Sequence, residues 1–444
     1  MSLRPLLAAL TLLGLLAACG PGTPPASEGT TTMNEIAEGY VRLVLAVGRH
    51  DADFVDAYYG PSEWRQEADQ GEPRPLTELA DTARALRDEV RRLPAPSEEV
   101  DQRRQSFFDL QLRAIETRIA MLAGERKSFD QESELLYDAV APHHEEAHFA
   151  EILTQLEGRL PGAGSLTERF AAWRKAFEIP PEKLPAVFDA AIQECRRRTA
   201  QYLELPAGES FEVEYVSDQP WSAYNWYQGG FKSLIQVNTD LPITIDRAVD
   251  LACHEGYPGH HVYNLLLERD LVIARGWREL SVYPLFSPMS LIAEGTANFG
   301  IEVAFPGAER TAFERDVLYP LAGLDPERAG EFAEVAELVS GLSYAGNEAA
   351  RRYLDGEIDA AGAADWLERF AMYDRPRAEQ RVRFVDRYRS YVINYNLGRD
   401  LVRQFVESQG GTVEAPERRW EVFESLLNSP RTASALLPVA SAHG

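Results

Sequence analysis

Apolar residues recur at helical spacing through most of the chain. Leu79, Ala83, Leu86 and Val90 share one face, as do Leu110, Ala114, Ile115 and Ile119, so residues 34 to about 203 read as successive helices. Pro/Gly punctuation separates them at Gly60-Pro61, Pro94-Ala95-Pro96, Leu160-Pro161-Gly162 and Ile179-Pro180-Pro181. The period drops to two at residues 211–216 and again at 233–238, with Gly229-Gly230 between, which predicts a small antiparallel β-sheet. Helical spacing resumes near Thr244 and, broken by Pro284, Pro288 and Pro306-Gly307, runs to the C-terminus. The fold class expected is mainly α, and no internal repeat is present.

The first residues break this pattern. Arg4 is followed by an apolar run too short to span a bilayer, ending Leu16-Ala17-Ala18-Cys19, which resembles a bacterial lipobox. We expect residues 1–19 to be a lipoprotein signal peptide with Cys19 lipid-modified, and the Gly/Pro/Ser/Thr-rich residues 20–33 to be a flexible tether. Residues 34–444 form the body, with an N-terminal helical part 34–205 and a second part 206–444. The protein is then expected to be exported, anchored to a membrane only through its lipid and facing the periplasm or cell exterior.

Charge narrows the partners. Among 444 residues, 70 Asp and Glu against 45 Lys and Arg give a net charge of -25, which argues against a nucleic-acid partner and describes a solvated surface. Cys195 and Cys253 are the cysteines that remain beyond Cys19, a possible pair in an oxidising compartment.

Six of the eight histidines fall into two clusters, at 143, 144 and 148 and at 254, 260 and 261. His144-Glu145-Glu146-Ala147-His148 matches the bare HExxH pattern, but it follows Pro142 and carries an extra carboxylate, so it reads as a solvated helix start. The second cluster, His254-Glu255-Gly-Tyr-Pro-Gly-His260-His261, has two extra residues between its histidines. Six residues turn a regular helix by about 600°, which would put His260 on another face. Tyr257-Pro258-Gly259 permits a bulge that returns it, since proline removes a donor and glycine tolerates unusual backbone. His261 is the alternative ligand, on the right face of an unbroken helix but roughly 10 Å along the axis. Glu294, a lone carboxylate in the apolar run Ser290-Leu-Ile-Ala-Glu294-Gly-Thr-Ala, supplies a third ligand from a separate element. Two histidines and one glutamate leave a position for water, and Glu255 is placed to take that water's proton.

HEGYPGHH followed by EGTA resembles a large bacterial family of metallopeptidase-like proteins, long catalogued as a domain of unknown function, whose hallmarks are HExxPGHH and a later EGxA. That family is similar to the gluzincin peptidases. The resemblance runs from about Tyr137 to the C-terminus, including LPGAGSLTERF at 160–170 and IPPEKLPAVFDAAI at 179–192. It implies a gluzincin-like helical fold with the small sheet next to the active-site helix. It also implies one Zn2+, or another divalent metal, held by His254, His260 and Glu294, with Glu255 as general base. The family's late Tyr-x-x-Gly matches Tyr395-Asn-Leu-Gly398, which implies that Tyr395 stabilises the oxyanion, with Tyr344 as rival. Thr296 stands where the family often has an aromatic residue, and Glu302 falls one position later than the usual second glutamate. The first hundred residues are also shorter than is typical.

The function expected is a zinc-dependent peptidase that hydrolyses extracytoplasmic peptides through a metal-activated water. The alternative is a lipoprotein that binds metal or peptide in the same cleft without catalysis. Residues 221–238, rich in aromatics, suit an edge strand that binds an extended peptide, or a strand simply packed on the helices. Arg377, Arg399 and Arg403 are candidate holders of a substrate carboxylate.

Overall fold

Helix starts follow local capping chemistry. Thr32, Ser128 and Ser165 each accept a hydrogen bond from the backbone three residues on, and Glu35, Gln131 and Glu168 return it, opening the helices Met33–Val47, Phe129–Tyr137 and Leu166–Arg174. The computed structural model describes residues 32–219 and 221–437; the expected signal peptide with Cys19, and the tether up to residue 31, lie outside the described residues. No helix among those described is long and apolar enough to cross a membrane.

The structure is mainly helical, as the periodicity predicts. Helix Leu76–Arg92 buries Leu79, Ala83 and Val90, the face read from the sequence, against helices Met33–Val47 and Glu99–Leu122. One hydrophobic core draws residues from both parts of the body, among them Phe108, Phe188, Leu266, Phe299 and Phe423. A smaller core gathers Phe149, Leu156, Val335, Trp366 and Phe370. Residues of both cores' helices line a cleft of about 2060 Å³.

Among the described residues, five strands make two small sheets: β1 (Val55–Tyr58), β2 (Ser210–Val216), β3 (Ala223–Gly229), β4 (Lys232–Asn238) and β5 (Val282–Pro284). β1 pairs antiparallel with β5. The two strands read from the sequence, β2 and β4, pair in parallel rather than antiparallel; the antiparallel pairing is the β3–β4 hairpin, so the order is β2-β4-β3 with β3 at an edge. The hairpin turn needs positive φ at Gly229, Gly230 and Phe231 (77°, 62° and 62°), which glycine accepts without penalty at the first two. Glu268 holds that turn, accepting hydrogen bonds from the N–H groups of Gly230 (3.0 Å) and Phe231 (3.2 Å) and from the Tyr227 hydroxyl.

Candidate metal centre and its cleft

The motif HEGYPGHH folds as an interrupted helix. After helix Ile245–Leu251 the chain widens over Ala252–Gly256. The Tyr257 N–H reaches back five residues to the Ala252 carbonyl (3.3 Å), and the Gly259 N–H six residues to that of Cys253 (2.9 Å). A new helix, His260–Leu267, then begins. Pro258 cannot donate, so the regular ladder stops there. Gly259 is required by close approach: a Cβ would lie 1.8 Å from the His254 carbonyl oxygen and 2.4 Å from that of Cys253. The wide turn absorbs the two extra residues and brings His260 Nε2 to 3.1 Å from His254 Nε2.

Three neighbours pin the turn. Cys253 is disulfide-bonded to Cys195 on helix Leu184–Thr199, which pairs the two cysteines left open above. Asn225 on β3 donates to the Glu255 carbonyl at 2.7 Å. The third is the packing of Gly259 against its own preceding carbonyls.

Glu294 comes from helix Pro288–Ala304, which crosses helix Ile393–Ser408 at Gly295 and Gly398. A Cβ at Gly295 would meet the Gly398 carbonyl oxygen at 2.5 Å, and one at Gly398 would meet the Leu291 oxygen at 2.7 Å, so the two backbones touch. Both glycines belong to the motifs EGxA and Tyr-x-x-Gly, and their contact brings the two motifs together. Tyr391, in the turn before the second helix, donates to Glu294 Oε1 at 2.8 Å.

Glu294 Oε2 lies 3.3 Å from His254 Nε2, and Oε1 lies 3.8 Å from His260 Nε2. Ligands held ~2.0–2.2 Å from a tetrahedral ion stand roughly 3.3–3.6 Å apart, so the separations of 3.1, 3.3 and 3.8 Å suit one cation. Glu294 Oε2 is also buried without a hydrogen-bond partner among the described residues, a cost that a cation would remove. Asn298 donates to the carbonyls of Glu294 (3.1 Å) and Tyr395 (3.2 Å), leaving its Oδ1 to accept from His254 Nδ1 at 3.2 Å. That fixes the tautomer with a lone pair on Nε2, facing the cluster.

Glu255, only 5% exposed, sits beside the two histidines, the ligand atoms of all three lying within 4.8 Å of one another. Two carboxylates therefore stand beside the same pair of imidazoles. Of the two, Glu294 is held by a tyrosine hydroxyl and faces both imidazoles, the geometry of a ligand, whereas Glu255 has no such hold among the described residues. Burial, with the negative Glu294 beside it, pushes the Glu255 carboxyl up to about 7 against the pull of His254. Burial pushes His260 down to about 4, keeping its imidazole neutral. Burial also works against the charged form of Glu294, but His254, His260 and Tyr391 outweigh it and hold that carboxyl below its ordinary value.

The remaining candidates separate by position. His261 is fully buried between Ser233 Oγ (2.9 Å) and Glu209 (3.1 Å), so both its ring nitrogens are taken up away from the cluster. The other histidine motif is indeed a helix start: the helix is Glu146–Arg159, so His144 precedes it and His148 is exposed. Their rings stack at 4.4 Å on the cleft wall rather than offering ligands from one helix face. Tyr344 donates to Asp400 at 2.8 Å, whereas the Tyr395 hydroxyl lines the cleft with no hydrogen bond among the described residues. Arg399 and Arg403 pair with Asp400 and Glu302.

Several site residues escaped sequence reasoning. Asn298 follows EGTA directly, and Tyr391 precedes Tyr395 by one helical turn, so proximity to the motifs was a usable signal. Asp56 on β1 also lines the cleft; burial, aided by Glu294 and Glu255, pushes its carboxyl up to about 8, and nothing in its local sequence marks it.

The fold and the cluster define a helical protein with a His/Glu group at the base of a large cleft. Neither a protein-family model nor a curated protein matches the chain. Among solved structures it is similar to a provisionally assigned lipoprotein from Colwellia psychrerythraea, with TM-score 0.52 and 15% identity over 91% of this chain and 75% of that one. Weaker likenesses are to an M32 carboxypeptidase from Deinococcus radiodurans R1 (TM-score 0.47, 13% identity, 91% of this chain and 95% of that one) and to a provisionally assigned lipoprotein of unknown function from Shewanella oneidensis (TM-score 0.47, 12% identity, 81% and 72%). At such identity the first likeness shows a shared fold alone.

Proposed function

We propose that this chain is a metal-dependent peptidase of an exported, lipid-anchored protein, with His254, His260 and Glu294 as ligands of one divalent cation. The observation that carries the reading is the buried Glu294 carboxylate, whose Oε2 is partnerless and 3.3 Å from His254 Nε2 and whose Oε1 is 3.8 Å from His260 Nε2. Two imidazoles and one carboxylate suit zinc. Such a cation supplies Lewis-acid chemistry, polarising a carbonyl and acidifying water. Glu255 accepts the proton of the attacking water and passes it to the leaving amine. The Tyr395 hydroxyl donates to the oxygen on which negative charge develops. Asn298 and Tyr391 hold a histidine and the ligand carboxylate in place. The edge strand β3, whose Tyr224 and Trp226 line the cleft, offers backbone groups to an extended peptide. Export is supported by the lipobox-like Leu16-Ala17-Ala18-Cys19 and by the Cys195–Cys253 bond, since disulfides persist in oxidising compartments.

The test is turnover of a quenched peptide library by the full chain, with and without chelator, alongside Glu255→Gln. We expect chelator-sensitive hydrolysis, abolished in Glu255→Gln with metal content unchanged. Hydrolysis retained by that variant removes Glu255 from the mechanism, and metal lost from His144→Ala/His148→Ala but kept by His254→Ala/His260→Ala moves the site. Metal retention with no turnover of any peptide leaves the binding lipoprotein as the reading.

A further inference from the structure

The chain carries 25 more acidic than basic residues, and its arginines mostly face carboxylates. On one wall of the cleft they do not. Arg174, at the end of helix Leu166–Arg174, and Arg377 and Arg381, one turn apart on helix Arg375–Tyr388, have no carboxylate partner among the described residues. Arg174 reaches only the Thr244 hydroxyl, at 3.0 Å. Arg377 lies over the Tyr373 ring, its Cζ 4.8 Å from the centroid, and Arg381 over Phe384 at 4.6 Å and Tyr395 at 5.9 Å. Arg247, shared with Asp250 at 3.0 Å, adds a fourth guanidinium.

All four line the same cleft as Tyr373, with Arg377 in contact with its ring. Desolvation would raise the Tyr373 hydroxyl, but Arg377, Arg381, Arg174 and Arg247 outweigh it and lower it, whereas burial raises that of Tyr263. Three segments far apart in sequence bring these charges together, an arrangement that an anion in the cleft would stabilise. The cluster also adjoins the proposed chemistry. Arg381 stands over Tyr395, and Arg247 precedes His254 by seven residues, two helical turns or about 10 Å, the span of about three extended residues.

We propose that Arg174, Arg377 and Arg381, backed by Arg247, form an anion-binding subsite that takes a carboxylate of a peptide within about three residues of the bond broken. The proposal rests on the peptidase reading of the same cleft. A carboxylate there comes from the peptide's C-terminus or from an acidic side chain, and planar guanidinium groups suit either.

The test is calorimetric binding to the full-length Glu255→Gln chain supplied with zinc. Three short peptides of one neutral sequence are compared: a free acid, its C-terminal amide, and the amide carrying a single Glu. We expect at least about tenfold tighter binding of a carboxylate-bearing peptide than of the neutral amide. The preferred one identifies the source. Arg377→Gln/Arg381→Gln should remove that advantage and leave the affinity for the neutral amide unchanged. Equal or absent binding of all three peptides, which needs no variant to observe, overturns the subsite, as does an advantage that survives the double substitution. Chelator-sensitive hydrolysis by the unsubstituted chain without carboxylate preference in binding refutes the subsite and leaves the peptidase reading standing. Carboxylate preference with no hydrolysis of any peptide by the unsubstituted, zinc-supplied chain keeps the subsite and refutes the peptidase.

Discussion

Gly295→Ala is a test whose sign is informative. In a solvated helix this change stabilises by up to ~1 kcal/mol, because alanine loses less backbone entropy. At the crossing of helices Pro288–Ala304 and Ile393–Ser408, the new Cβ would stand 2.5 Å from the Gly398 carbonyl oxygen and 2.6 Å from its carbon. Both are backbone atoms and cannot swing aside. Restoring an ordinary contact, about 3.5 Å between carbons, asks the helices to part by roughly 0.9 Å. Tyr391 moves with the second helix, so its 2.8 Å bond to Glu294 stretches beyond hydrogen-bond range. Overpacking costs about 1–3 kcal/mol and the lost bond to a carboxylate about 1.5–3. Since these terms are not additive and the propensity gain opposes them, we expect a net loss of about 2–4 kcal/mol in urea unfolding. Gly158→Ala, at an exposed position of helix Glu146–Arg159 with nothing within 4 Å of the added atom, is the control and should be neutral or stabilising. A Gly295→Ala protein as stable as the control would refute the backbone-on-backbone crossing.

Breaking the Cys195–Cys253 bond by a Cys195→Ser/Cys253→Ser double substitution opens a loop of sequence separation 58, worth about 4 kcal/mol by chain entropy, and should lower the urea midpoint accordingly. Acid stability provides a second handle. Burial alone would raise Glu209, but hydrogen bonds from His261, Tyr257 and Arg196 hold its carboxyl down at about 2 from an ordinary 4.5. A depressed carboxyl stabilises the fold above pH 4.5 and loses that contribution as pH falls through 2, so Glu209→Gln should flatten the pH dependence of unfolding within that window. A slope unchanged by the substitution would assign the acid sensitivity elsewhere.

Much of the helical architecture was legible in the spacing of apolar residues, because amphipathic faces such as Leu79, Ala83 and Val90 repeat with the helix itself. The bulge in HEGYPGHH was also legible, since proline and glycine constrain the backbone locally. What local pattern cannot carry is pairing across distance. β2 reads as an alternating strand, yet its parallel partner β4 is chosen by the fold. Glu209 lies 52 residues before His261, and its role in occupying that ring follows only from tertiary contact. Asp56, Arg174 and Arg381 face the cleft for the same reason: each is unremarkable among its sequence neighbours and meaningful only where the chain returns, whereas Arg377 was already a candidate from the sequence.

The wide turn between His254 and His260 has a mechanical consequence. In an ordinary helical motif the pitch itself spaces two ligands, and the helix carries its own stiffness. Here the turn forms no regular ladder, and its shape is imposed by a tripod: a covalent leg at Cys253, a side-chain strut from Asn225, and the vacant Cβ position of Gly259. The spacing of the two imidazoles is borrowed from its surroundings. Loosening any leg, including one a helix away, should be felt at the two imidazoles as directly as a change beside them.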